Sequence, residues 1–284
     1  MGSVRDELVE LRGLRFHYRD WAGPGPAAPD LVLLHGYTGH ARSWDHFAAG
    51  MTDRYRVLAL DQRGHGESGW AAADQYGIDD MVQDLRAFVA ALGLQRFTLL
   101  GLSMGGMVAM HYAGARPAEL AALVIVDIGP ELVATGAARI QAGQREVDVF
   151  ASREEAFAAA RAVNPVPPAD VHRHRVDNNL MRTEDGRWTY RYDRALRSPN
   201  RLRVRDAAAG WAACAQINVP TQLIRGANSD ILSADSAAKM IATIPGAQFA
   251  LVSDSGHSIP LDAPAGFLQA ARQFCAGDTG NAGA

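Results

Sequence analysis

Positions 97–106 read FTLLGLSMGG, an apolar run that ends in Gly101-Leu102-Ser103-Met104-Gly105 and continues into a helical pattern. A glycine two residues before the serine and another two after it let a strand turn sharply into a helix, leaving the hydroxyl exposed at the helix start. Ser103 is therefore the candidate nucleophile. A hydroxyl is a weak nucleophile at neutral pH and needs a base within hydrogen-bond reach, for which histidine has a suitable pKa. Of the nine histidines, His257 in SDSGHSIP follows the last strand pattern and comes after the serine in the chain. His111 falls within a helix, and His172 and His174 fall in a separate helical region where a solvated or substrate-facing position is expected. As an HxH pair those two lack a third ligand at metal spacing, so no metal is expected.

Attack on a carbonyl creates an oxyanion, which needs preorganised N–H donors. The amide of Met104, directly after the nucleophile, is one candidate. The amide of Tyr37 in LLHGYTG is the other, following a tight turn that Gly36 permits, with His35 orienting the loop. A third side chain must hold the imidazole in the right tautomer and offset its developing charge. Asp127 closes ALVIVDIGP, 24 residues after Ser103, and Asp230 sits in IRGANSDIL. Each ends a strand pattern before the histidine, so strand position alone does not choose between them.

These residues need a scaffold that gathers strand ends on one edge. Short Val-, Ile- and Leu-rich runs alternate with helical patterns, the signature of a mostly parallel sheet covered on both faces. Strands are expected at Leu31–Leu34, Tyr55–Leu60, Phe97–Leu100, Ala122–Val126, Thr221–Arg225 and Gln248–Val252, preceded by an edge hairpin in VELRGLRFHYRDW. In DDMVQDLRAFVAALG, Met81, Leu85, Phe88, Val89 and Leu92 recur at spacings of three and four, which makes an amphipathic helix stopped by Gly93. Further helices are expected at 41–50, 104–115, 234–244 and 264–275. The alternation breaks between about Glu131 and Gln216, where helical patterns, NPVPPAD and DGRWTYRYDRALRSP take over. A segment leaving one strand and returning to the next lies over the C-terminal sheet edge, where ligands bind in open α/β folds. The expected division is a core of residues 1–130 and 217–284 with a helical lid at 131–216. There is no internal repeat, and GDTGNAGA reads as a flexible tail.

LLHGYTG, LDQRGHGES, GLSMGG and SGHSIP resemble, in order and spacing, the α/β-hydrolase superfamily from about residue 10 to 275 except the lid. The resemblance implies a small serine esterase-like hydrolase with a twisted, mostly parallel sheet and a lid inserted before the penultimate strand. It is specific for fold and poorly specific for substrate, because esterases, lactonases, amidases and carbon–carbon bond hydrolases share these motifs. In many members the acid lies three residues beyond the glycine of the later strand. Here that position is Ser229, and Asp230 is one step late. In a subgroup of small hydrolases the acid instead follows the earlier strand in a VDI-like stretch, which VIVDIGPE resembles. The expected acid is Asp127, leaving Asp230 as the alternative or as a loop or helix-capping residue near Ser233.

A small carboxylic ester or lactone, cleaved through an acyl-enzyme, is the expected substrate, with no cofactor. The alternatives are an amide or carbon–carbon bond in a small anionic substrate and, more remotely, a catalytically silent binding protein. Arg42, or Arg182, Arg187 and Arg191 in the lid, could bind a carboxylate. Trp188 and Tyr190, alternating with Thr189 and in step with Tyr192, could line an acyl or aromatic pocket. Gly64–Gly69 formally matches GxGxxG, but the stretch after it opens no helix and no strand ends in an acid about 20 residues on, so a dinucleotide site is rejected. Asp61 and Arg63 there are expected to order the loop.

At 284 residues and 48% hydrophobic, the chain can bury one large core plus an insertion. A net charge of −3 gives no electrostatic case for nucleic acid or an anionic membrane as partner. No apolar stretch reaches the ~18 residues needed to span a bilayer, and no leader pattern opens the chain, so a cytoplasmic protein is expected. Cys214 and Cys275 make no disulfide framework. None of these motifs encodes oligomeric state, chain-length preference or pathway.

Overall fold

The computed structural model describes residues 3–143, 148–197 and 206–277. Strands β1 (Val4–Leu11) and β2 (Leu14–Trp21) form the edge hairpin. Arg12 and Gly13 both take positive φ, 50° and 79°, the pairing that a two-residue turn needs to match strand twist. The core then uses β3 (Asp30–Leu34), β4 (Arg56–Leu60), β5 (Phe97–Leu102) and β6 (Leu120–Val126). The insertion holds β7 (Val149–Phe150), β8 (Leu180–Arg182) and β9 (Trp188–Tyr190). The core resumes with β10 (Thr221–Gly226) and β11 (Gln248–Val252). The eight core strands lie in the order β1-β2-β4-β3-β5-β6-β10-β11. The run from β4 to β11 is parallel, and β1 and β2 are antiparallel.

Helices cover both faces. In chain order they are α1 (Asp45–Ala49), α2 (Ile78–Ala91), α3 (Met104–Gly114), α4 (Ala134–Gly143), α5 (Arg153–Val163), α6 (Ala169–Asn178), α7 (Ala207–Gln216), α8 (Ala234–Thr243), α9 (Ile259–Asp262) and α10 (Pro264–Gly277). The single helix expected over 41–50 is a 3-10 turn, Ala41–Trp44, followed by the short α1. One apolar layer packs Phe16, Leu34, Leu85, Phe88 and Met107 on one side of the sheet. The other packs Leu33, Trp44, Phe47, Val124 and Phe267. Strands β3 to β6 are buried on both faces, which is why they read as continuous apolar runs.

The insertion between β6 and β10 is not wholly helical. Strands β7, β9 and β8 pair antiparallel into a small sheet around Phe150, Ala156, Val176 and Leu180. Strands of two and three residues are too short for alternation to show in the sequence. The last helix of the segment, α7, lies against α3: a Cβ on Gly114 would sit 2.8 Å from Ala213 Cα. That helix flanks the sheet rather than overhanging its edge. Ser198 and Pro199 of the aromatic stretch, and the tail beyond Gly277, lie outside the described residues. No helix among the described residues is long and apolar enough to cross a membrane.

Candidate active site

Ser103 sits between β5 and α3 with φ 52° and ψ −114°, a conformation rarely adopted by a side-chain-bearing residue. The flanking glycines make that turn possible by close approach. A Cβ on Gly101 would fall 2.2 Å from Gly105 O, and one on Gly105 would fall 2.4 Å from Leu34 O. The Ser103 N–H donates to Val126 O at 3.0 Å, fixing the turn to β6.

The Ser103 hydroxyl lies 2.9 Å from His257 Nε2, and His257 Nδ1 lies 2.8 Å from Asp127 Oδ2. With Nδ1–H donating to the carboxylate, Nε2 is left to accept the serine proton, the arrangement a general base requires. Asp127 is fully buried at the end of β6 and also takes a positive φ, 51°. Its Oδ1 accepts from the Gly226 N–H at 2.9 Å, and its Oδ2 accepts from Ser229 Oγ at 2.5 Å. The structure thus brings together Ser103, His257 and Asp127. Asp230 is elsewhere, pairing bidentately with Arg139 at 2.7 and 3.0 Å with its side chain 40% exposed. Arg139 also holds its carboxyl below the ordinary range. Nor does Asp230 cap the next helix, because Ser233 Oγ accepts the Ser236 N–H there at 3.0 Å.

The turn after β3 abuts the nucleophile, since a Cβ on Gly36 would sit 3.3 Å from Ser103 Cβ. That proximity brings the Tyr37 backbone near Ser103. Met104 follows Ser103 as the first residue of α3, where N–H groups have no intrahelical partner. Buried His35 accepts from the Gln62 N–H through Nε2 at 3.0 Å, so its Nδ1–H donates to Gly36 O at 2.8 Å and braces the turn. Asp61 and Arg63 order the adjoining loop: Asp61 accepts from Ala41 N and Glu67 N, and Arg63 pairs with Asp84. Gly64 and Gly66 take positive φ in that loop, which opens no helix.

The other candidates have different surroundings. Arg42 donates to Asp6 of the edge hairpin at 2.9 Å. Trp188 is covered by Arg153 and Arg182, 4.5 and 4.2 Å from its ring centre. Tyr190 packs edge-on to Phe150 at 5.4 Å and stacks on Tyr192 at 6.4 Å, and Tyr192 stacks on His65. Arg187 pairs with Asp185, while Arg182 and Arg191 donate to the carbonyls of Gly186 and Leu180. His172 packs against Phe157, and His174 meets Asp45 at 2.9 Å, so the two histidines share no ligand.

The roles of two residues were missed in the sequence. Ser229 donates to Asp127; its place three residues after Gly226 was the available signal. Asp262, raised in pKa by burial, accepts from the Gly256 N–H at 2.9 Å and from Asn164 Nδ2 at 2.8 Å, linking the His257 loop to the insertion. No local pattern marked that pair.

A serine on a strained strand–helix turn at the C-terminal edge of a parallel sheet, hydrogen-bonded to a histidine from the last loop, is the plan of an α/β hydrolase. The α/β hydrolase fold model matches residues 29–264, and the chain belongs to that family. It is similar to a 3-hydroxybutyrate-oligomer hydrolase of Cupriavidus necator, 29% identical over 89% of this chain and 90% of the relative. It is also similar to lipase LipV of Mycobacterium tuberculosis, 30% identical over 84% of this chain and 91% of the relative. An α/β hydrolase structure from Novosphingobium aromaticivorans superposes with a TM-score of 0.83 at 29% identity, covering 96% of this chain and 98% of that one. The chain is a hydrolase on this fold.

Proposed function

We propose that the protein is a serine hydrolase that cleaves a small carboxylic ester or lactone through an acyl-enzyme. Ser103 attacks the carbonyl while His257 Nε2 takes its proton. Asp127 fixes the imidazole tautomer and offsets the imidazolium charge. The amides of Tyr37 and Met104 stabilise the oxyanion. His257 then returns the proton to the leaving alcohol, and a water activated by the same imidazole releases the acid. The observation that carries this reading is the continuous Ser103–His257–Asp127 chain, at 2.9 and 2.8 Å. The names of the Cupriavidus and Mycobacterium relatives favour ester bonds over amides. In this reading residues 131–216 act as the lid, the substrate is a small molecule, and the protein works in the cytoplasm.

The test is turnover of short-chain p-nitrophenyl esters together with labelling by a fluorophosphonate. Ser103→Ala is expected to abolish labelling and to lower kcat by about 10⁴- to 10⁶-fold. A labelled or fully active Ser103→Ala protein would overturn the assignment. Ranking esters against lactones, amides and diketones then fixes the bond type.

A further inference from the structure

The insertion is rich in arginine, and among the described residues most of its arginines are occupied. Arg173 lies beside Glu154 and Asp177, Arg187 beside Asp185, and Arg194 and Arg197 beside Asp148. Arg161 and Arg191 donate to backbone carbonyls. Arg175, in the middle of α6, differs from them. Among the described residues its guanidinium has no carboxylate within 4.0 Å and makes no side-chain hydrogen bond. It is nevertheless half-buried, with part of its surface covered by protein.

The position of that cation follows from what holds α6. The Arg175 carbonyl accepts from His40 Nε2 at 3.0 Å, and Asn179 Nδ2 donates to Thr38 O at 3.0 Å. These bonds lay the helix across the segment that directly follows Tyr37. Tyr190 and Asp262 both lie within electrostatic reach of the guanidinium, as do His35 and His40. Asp262 in turn holds the backbone next to His257. The cation is therefore near both the Tyr37 turn and the His257 loop, the two segments that flank Ser103.

A guanidinium cannot shed its proton to escape burial, and a half-buried cation without an anion is more costly to keep than an exposed one. Asp262 does not answer the charge. It forms no ion pair with Arg175, its two oxygens already accept from Gly256 N and Asn164, and burial weakens its ionisation. The same acid would repel a doubly charged phosphate more than a singly charged carboxylate. A planar carboxylate also matches the guanidinium fork.

We propose that Arg175 anchors a free carboxylate of the substrate, so that the ester cleaved at Ser103 is the half-ester of a short dicarboxylic acid. This inference rests on the serine-hydrolase reading and narrows its substrate class. Arg175 would set specificity and register, holding the scissile carbonyl against Ser103 by the far end of the acyl chain.

The experiment compares the monoethyl esters of succinate, glutarate and adipate with their diethyl esters, following acid release. At least one half-ester is expected to exceed its diester in kcat/KM by about tenfold or more, the size of effect a desolvated charge pair supplies. In Arg175→Met that ratio is expected to fall by a similar factor through a rise in the half-ester KM, with partial recovery in Arg175→Lys. Glutarate is also expected to protect wild-type Ser103 from fluorophosphonate labelling, a readout that needs no variant. The inference is overturned if the wild type cleaves every diester as well as its half-ester, if Arg175→Met lowers both in step, or if glutarate gives no protection. If neither ester series is cleaved and Ser103 is not labelled, it is the hydrolase reading that fails. Calorimetric binding of glutarate, lost in Arg175→Met, would then still support the anion site, and absence of binding would remove it.

Discussion

Asp127 and Asp230 end neighbouring stretches of the same sheet edge, and their surroundings give them opposite work. Asp127 has no exposed side-chain surface and three hydrogen-bond donors around it, one of them His257. Asp230 is 40% exposed, and its ion pair with Arg139 is of the surface kind that contributes little. Asp127→Asn is therefore expected to cost on the order of 10⁴ in kcat, because an amide cannot hold the imidazole tautomer as a carboxylate does. Asp230→Asn should stay within about threefold of wild type, given what exposed pairs are worth. Both are measured on one p-nitrophenyl ester, and the reverse ranking would refute the assignment. The one-residue offset of Asp230 from the usual spacing was legible in the sequence. The function of Ser229 was not, because its bond runs to a residue 102 positions away and spacing does not say where a hydroxyl points.

At the scale of elements, apolar runs made β3 to β6 legible, since a strand buried on both faces has no polar positions to interrupt it, whereas the edge strand β11 reads as apolar although most of it is exposed. Asp61 was expected to order its loop, but the distant elements it joins were hidden, because such junctions are made by single buried polar groups. Asp61, at the end of β4, binds Ala41 N, Glu67 N and His17 Nδ1 and so ties the hairpin, the 3-10 turn and the following loop together. Burial pushes its pKa up, but the His17 hydrogen bond and nearby histidine charge hold it at about 2. Its contribution to stability is present above the unfolded value of 3.8 and is lost as pH falls towards 2. His40 acts higher on the pH scale. Burial drives its pKa from 6.5 to about 3, with Arg175 adding to the effect and Asp61 opposing it. A histidine kept neutral in the fold stabilises above the unfolded pKa, and that stability drains away from pH 6.5 down to about 3. His172, lowered to about 4, shares the window. The melting temperature should thus decline between pH 7 and pH 4, and His40→Gln, which can still donate to Arg175 O, should make the decline shallower. An equally steep decline in that variant would contradict the account.

Across the whole molecule, stability is unevenly distributed. The central strands lie between two large apolar layers, while the insertion is organised around one small cluster of four buried side chains and a second in which Tyr192 and Leu196 pack on Tyr76. It is fastened to the core by a few polar contacts, among them His40 to Arg175 O, Asn179 to Thr38 O, His174 to Asp45 and Asn164 to Asp262. Few buried apolar contacts and a small number of polar ties define a unit that opens without global unfolding. The lid proposed for this insertion needs that property. Native-state hydrogen exchange should therefore find the amides of β3, β5 and β6 slowest. Those of α5 and α6 should exchange faster by on the order of a hundredfold or more, reflecting sub-global opening. A dicarboxylate held by Arg175 near the Tyr37 turn, as proposed, would bind the closed form, so glutarate should slow exchange in α6 while leaving β5 unchanged. If α5 and α6 are protected as strongly as β5 without any ligand, the insertion unfolds with the sheet, and its proposed action as a lid over Ser103 fails.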